Sequence, residues 1–137
     1  MLSTKTLLLC GTLTAALAVV LGAFGAHALR ERLPVDQLQV FETGVRYQFF
    51  HALGLLVIGI LLTIMPHPAL QRAGLFLLLG MICFSGSIYL LSTRSLLGIE
   101  SWRSVLGPIT PLGGLFFIIG WVQLAYGIWK NDYWSLH

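Results

Sequence analysis

Long apolar runs broken by isolated charges set the pattern of this chain. Four windows, residues 6–29, 47–71, 73–93 and 104–129, contain no Asp, Glu, Lys or Arg, and basic residues bound them: Lys5, Arg30, Arg46, Arg72, Arg94, Arg103 and Lys130. A helix needs about 20 apolar residues to cross the hydrocarbon core of a bilayer. Only helices or closed barrels satisfy their backbone there. The windows are continuous, without the alternation of a barrel strand, so each predicts a helix. Pro66 and Pro68 cut the second window short and predict a tight turn that makes the second and third helices antiparallel neighbours. The expectation is an all-α, polytopic membrane protein, a single domain of four transmembrane helices spanning about residues 6–29, 47–65, 73–93 and 110–129.

The connections add detail. Residues 30–44 form the longest hydrophilic stretch, with Pro34 suited to a first helical turn and Asp36 near its positive end. Leu38, Phe41 and Val45 follow at helical spacing, which predicts a short amphipathic helix lying at the interface between the first two spans. Gly44 then reads either as a break or as a packing point in a continuous helix. Residues 107–114 read Gly-Pro-Ile-Thr-Pro-Leu-Gly-Gly. There Thr110 predicts an N-cap and Pro111 a first turn, with the stretch before them at the interface or re-entrant.

Small residues line two helices. Gly11, Ala15, Ala18, Gly22 and Gly25 with Ala26 recur in steps of three and four. Gly113, Gly120 and Gly127 recur every seven residues, the period of left-handed helix packing. Small residues let backbones approach closely where lipid is as apolar as leucine, so both faces predict helix packing. In the third window Gly80, Cys83 and Ser87 share a face, and Ser85 and Tyr89 need partners elsewhere. Tyr126, Trp129, Tyr133 and Trp134 predict an aromatic belt where the last helix leaves the bilayer.

Composition sharpens this reading. The 137 residues are 57% hydrophobic and 9% charged, against about 25% charged in a typical soluble domain. The net charge of +3 is spread singly over segment ends, as for headgroup anchors, and does not form a nucleic-acid surface. Cys10 and Cys83 sit inside apolar runs without metal-ligand spacing. Lys5, the first apolar run and Ala26-His27-Ala28 resemble a signal peptide, but the run exceeds a usual h-region and is expected to be a span. The first and third connections hold Arg30, Arg32, Arg46, Arg94 and Arg103, against Lys5, Arg72 and Lys130 on the other side. That bias predicts both termini outside the cytoplasm.

Candidate chemistry gathers in residues 42–54, where charged, polar and aromatic side chains run into an apolar segment. Glu42 and Arg46, four apart, can pair on one helix face. Arg46, Tyr47, Gln48 and His51 enter a span together, and a polar group in hydrocarbon is costly without a partner or cavity. His27 and His51 flank the same connection and are expected at similar depth. Haem, metal with Glu42 and a proton relay are weighed there, and interhelical hydrogen bonding is preferred. Arg46, Tyr47, Gln48, His51, His27 and Thr110 are the candidate ligand-binding residues, for a phosphate or carboxylate head. No nucleophile-base-orienter set, phosphate-binding loop or dinucleotide fingerprint appears, nor do paired carboxylates within a span. The chain is therefore expected to be non-enzymatic and without a cofactor.

Four motifs occur in order: Gly22-Ala23-Phe24-Gly25-Ala26-His27-Ala28-Leu29; Phe41-Glu42-Thr43-Gly44-Val45-Arg46-Tyr47-Gln48 with His51-Ala52-Leu53; Phe84-Ser85-Gly86-Ser87; and the 107–114 segment. They closely resemble the YgdD-like family of small bacterial inner-membrane proteins, to which eukaryotic transmembrane protein 256 is related. The resemblance implies a multi-pass inner-membrane protein and no particular activity. Two functions are carried forward. The first, based on the small-residue faces, is self-association or an accessory place in a larger membrane complex. The other is binding or carrying a lipid, quinone or other small amphiphile at the Arg46/His51 junction.

Overall fold

The computed structural model describes residues 2–131. Among these residues every regular element is helical, and four helices are long and apolar enough to cross a membrane. They are α1 (Thr4–Leu29), α2 (Val35–Ile64), α3 (Pro68–Ser92) and α4 (Arg103–Trp129). Ser3 caps α1 by accepting from the Thr6 N–H, and His67 caps α3 by accepting from the Ala69 N–H with Pro68 in the first turn. A short helical turn, Arg94–Leu97, follows α3 and ends at Gly98, whose φ of 68° is left-handed. Tyr133 and Trp134 of the expected belt lie outside the described residues; Tyr126 and Trp129 are exposed at the end of α4.

The helices form a bundle in which α2 and α3 are central, α1 lies against α2, and α4 lies against α3. The core is a column of Leu7, Leu55, Ile58, Met65, Leu70, Leu77, Phe117 and Leu124, drawn from all four. A second buried cluster gathers Leu29, Leu33 and Phe41, while other large apolar side chains, such as Leu13, Val20, Ile82 and Val122, point outward, as helices facing lipid require.

Both small-residue faces are occupied inside this one chain. A Cβ on Gly11 would meet Leu56 at 2.8 Å and the Ala52 carbonyl at 3.0 Å. Ala18 is buried on the same face, with Ala15 half-buried beside it and Gly22 against Val45. On α4, Gly113 abuts the backbone of Cys83 and Phe84, Gly120 meets Leu77, and Gly127 meets Leu70. Close backbone approach thus builds the α1–α2 and α3–α4 pairs.

Two expectations about element limits are corrected, and the open reading of Gly44 is decided. No separate interfacial helix stands between the first two spans: Val35–Ile64 is one helix, 30 residues long. Gly44 is a packing point and not a break, because it lets the α2 backbone sit against Ile88 and Tyr89. Thr110 is not an N-cap, since α4 begins at Arg103 and runs through Pro108 and Pro111. Proline removes one donor and crowds the carbonyl four residues back. For Pro111 that residue is Gly107, which has open space beside it. Finally, Glu42 and Arg46 do not pair; the ion pair among the described residues is Arg94–Glu100 at 3.0 Å.

Candidate functional site

Successive residues of α2 point in directions about 100° apart, so the polar cluster that looks continuous in sequence is divided in space. Arg46 is exposed and lies in a shallow groove with Ala18, Val19, Gly22, Ala23, Val45 and Phe49, on the α1 side. It has no hydrogen-bond or ion-pair partner among the described residues. Gln48 turns into the core, and Tyr47 and His51 turn towards α4.

Gln48 is the centre of an interhelical ladder. Its amide nitrogen donates to the Thr14 carbonyl of α1 at 2.9 Å, and its oxygen accepts from the Tyr89 hydroxyl of α3 at 2.8 Å. The buried Ser85 hydroxyl donates to the Gly44 carbonyl at 2.8 Å. Ser87 and Thr110 share a hydrogen bond of 2.7 Å between α3 and α4. Thr110 therefore serves as a cross-link. Among the described residues no buried side-chain nitrogen or oxygen lacks a partner. Hydrogen bonds of this kind hold helices together inside a membrane. The segment Met81–Gly86 of α3, beside this ladder, is a π-helical turn. Its widened backbone carries Phe84 and Ser85 and receives Gly113 of α4.

Tyr47 and His51 line a lateral groove of about 560 Å³ between α2 and α4, with Phe84, Pro111, Gly114, Phe117 and Trp121. The His51 ring stacks on Phe117 with centroids 3.4 Å apart and planes at 12°. Tyr47 lies 4.6 Å from the Phe84 ring, and Trp121 lies 6.0 Å from His51. His51 Nδ1 sits 2.6 Å from the Tyr47 carbonyl oxygen. His51 is only 6% exposed, and its Nε2 has no partner among the described residues. Since no buried side-chain nitrogen or oxygen is unpaired, Nε2 opens onto the groove. The result is a mostly aromatic wall with a few polar atoms, His51 Nε2 on its most buried residue, a composition typical of a small-molecule site.

His27 does not join this site. Gly11 packs against the Ala52 carbonyl, so His51 is level with Gly11, and His27 is 16 residues further along α1, about 24 Å away at 1.5 Å per residue. The expected common depth of the two histidines is thus corrected, and one iron cannot take both. His27 is exposed in the π-helical turn Gly25–Leu29. Among the described residues no three His, Cys, Asp or Glu side chains come together as a metal site.

Phe117 and Trp121 were not singled out by sequence reasoning. Gly114, Phe117, Ile118 and Trp121 recur at i, i+3, i+4 and i+7, which marks one helix face, but an apolar face gives no sign of lining a groove. Tyr89 was seen to need a partner, and Gln48 supplies it.

Residues 21–114 match a family described as protein of unknown function, DUF423. The chain belongs to this family. It is 43% identical over 122 residues to the UPF0382 membrane protein YwdK of Bacillus subtilis, covering 88% of this chain and 94% of the relative. A UPF0382 membrane protein of Staphylococcus saprophyticus is 39% identical over 126 residues, covering 92% and 98%. One from Haemophilus influenzae is 36% identical over 113 residues, covering 82% and 85%. No solved structure matches. The DUF423 chain described here is, with its four apolar helices, a multi-pass membrane protein.

Proposed function

We propose that this protein is a non-enzymatic binder of a small amphiphile taken up laterally from the bilayer into the groove between α2 and α4. The observation carrying this reading is His51 Nε2, the accessible nitrogen of an otherwise buried ring, without a protein partner and facing an aromatic groove on the side of the bundle. A mostly apolar wall with a polar anchor at His51 suits a molecule that is mostly hydrocarbon and carries one polar head. His51 lies five residues beyond Arg46, so the head would sit about 8 Å below the level of Arg46.

Amphiphile binding takes precedence over self-association here. The warrant for self-association was the small-residue faces of α1 and α4, and both are occupied within the chain. Native mass spectrometry in mild detergent tests the proposal. The wild type should retain an amphiphile, and Gly114→Leu, which fills the groove from a position with free space, should lose it. A retained protein partner with an empty groove would instead favour the accessory reading.

The Lys and Arg bias supports a bacterial inner-membrane topology with both termini periplasmic. A reporter fused to the C-terminus checks it, and cytoplasmic reporter activity would refute it. The narrower likeness to YgdD-like proteins and transmembrane protein 256 is compatible with DUF423 membership.

A further inference from the structure

Resting on the groove reading above, we infer that the site selects a hydroxyl-bearing ring, a lipid-soluble phenol or hydroquinone, over the corresponding carbonyl compound. The inference starts from the Tyr47 carbonyl oxygen, 2.6 Å from His51 Nδ1. A carbonyl oxygen only accepts hydrogen bonds, so Nδ1 carries the ring proton. The uncharged ring then presents Nε2 to the groove as a lone pair without a proton. The stack on Phe117, with planes at 12°, holds the plane of the ring, and the hydrogen bond to the Tyr47 carbonyl, which a half-turn of the ring would break, decides which nitrogen faces the groove.

A ligand O–H can donate to Nε2. A ligand carbonyl cannot, and its oxygen lone pairs would face the Nε2 lone pair. Phe84, Pro111, Gly114 and Phe117 offer no side-chain donor, and the other donors of the lining, the Tyr47 hydroxyl and the Trp121 indole, belong to residues 40% and 44% exposed, against 6% for His51. The rings of Tyr47, Phe84, Phe117 and Trp121 supply flat walls, which suit an aromatic head stacked or edge-on. The specificity is therefore set by one hydrogen position on one imidazole.

Duroquinol and duroquinone are a matched pair of probes, differing only by the two hydrogens on their oxygens. Binding of each is measured anaerobically to the full-length protein in mild detergent, with the protein labelled at histidine ¹⁵N. The expected result is a preference of about tenfold for duroquinol, the equilibrium effect of gaining one hydrogen bond. In the ¹⁵N spectrum of His51, Nδ1 carries the proton, and the Nε2 resonance moves when duroquinol is added. His51→Phe keeps the stack on Phe117 and should abolish the preference.

Equal affinity, a preference for duroquinone, failure of both probes to bind, or a proton on Nε2 would each overturn the inference. The groove reading is judged separately. If the wild type retains an amphiphile that Gly114→Leu loses, amphiphile binding stands although the hydroxyl selection has failed. If no amphiphile is retained, amphiphile binding falls as well.

Discussion

Adding one methyl group at Gly113 tests how the α3–α4 pair is built. The Cβ of Gly113→Ala would meet the backbone nitrogen of Phe84, and would lie 2.8 Å from both the Cys83 carbonyl carbon and the Phe84 Cα. Backbone atoms cannot swing aside as a side-chain tip can, so the π-helical turn Met81–Gly86 or the whole of α4 must move. Overpacking of this kind costs about 1–3 kcal/mol. Glycine-to-alanine replacement inside a helix also gains up to about 1 kcal/mol in propensity. The neighbouring Gly114→Ala provides the control. Its Cβ would have nothing nearer than Phe84 ring atoms at 3.9 Å, yet it shares the helix and the propensity gain. The difference between the two variants therefore isolates the contact, at about 1–3 kcal/mol. Reversible unfolding by SDS titration from mild-detergent micelles measures it. Gly113→Ala should unfold at lower SDS than Gly114→Ala, and Gly114→Ala should equal or exceed the wild type. Equal midpoints for the two variants would refute the close-approach argument.

Three further outcomes follow from the same geometry. Tyr89→Phe leaves the buried Gln48 oxygen without its donor and should cost about 1–2 kcal/mol, while Gln48→Leu with Tyr89→Phe should cost less than the two single changes summed, as a double-mutant cycle in SDS unfolding reads. His67→Ala removes the acceptor for the Ala69 N–H at 3.2 Å and should lower stability by about 0.5–1 kcal/mol in the same assay. Arg46→Ala should leave the amphiphile in place, because Arg46 faces the α1 side and not the His51 groove; loss of the amphiphile in native mass spectrometry would mean that one site joins the two.

The four spans were legible because charges are so costly in hydrocarbon that the runs between them mark the helices directly. Helix starts were less legible. Gly44 and the 107–114 segment carry residues that end helices in water, and the same residues in a bundle give close approach. Ile88 and Tyr89 against Gly44, and the Cys83–Phe84 backbone against Gly113, show which use applies, and those neighbours lie about 30–45 residues away along the chain. The small-residue stripes foretold packing but not with what; α2 and α3 take them up, leaving no such face free on α1 or α4. The candidate site was half legible. Tyr47 and His51 do share a groove, and Gln48 does bond to other helices. Arg46 and His27 leave the group because α2 turns Arg46 to another face and the α1–α2 register puts His27 about 24 Å along the bundle from His51.

The claim at the centre of this account is that a bilayer-borne amphiphile anchors on His51. A crystal structure of the protein grown from a lipid mesophase tests it most directly. The account predicts elongated density between Tyr47, Phe117 and Trp121, with a polar atom about 2.7–3.2 Å from His51 Nε2, and no such density in Gly114→Leu. A groove closed by its own side chains, or a His51 Nε2 bonded to a protein atom, would contradict it.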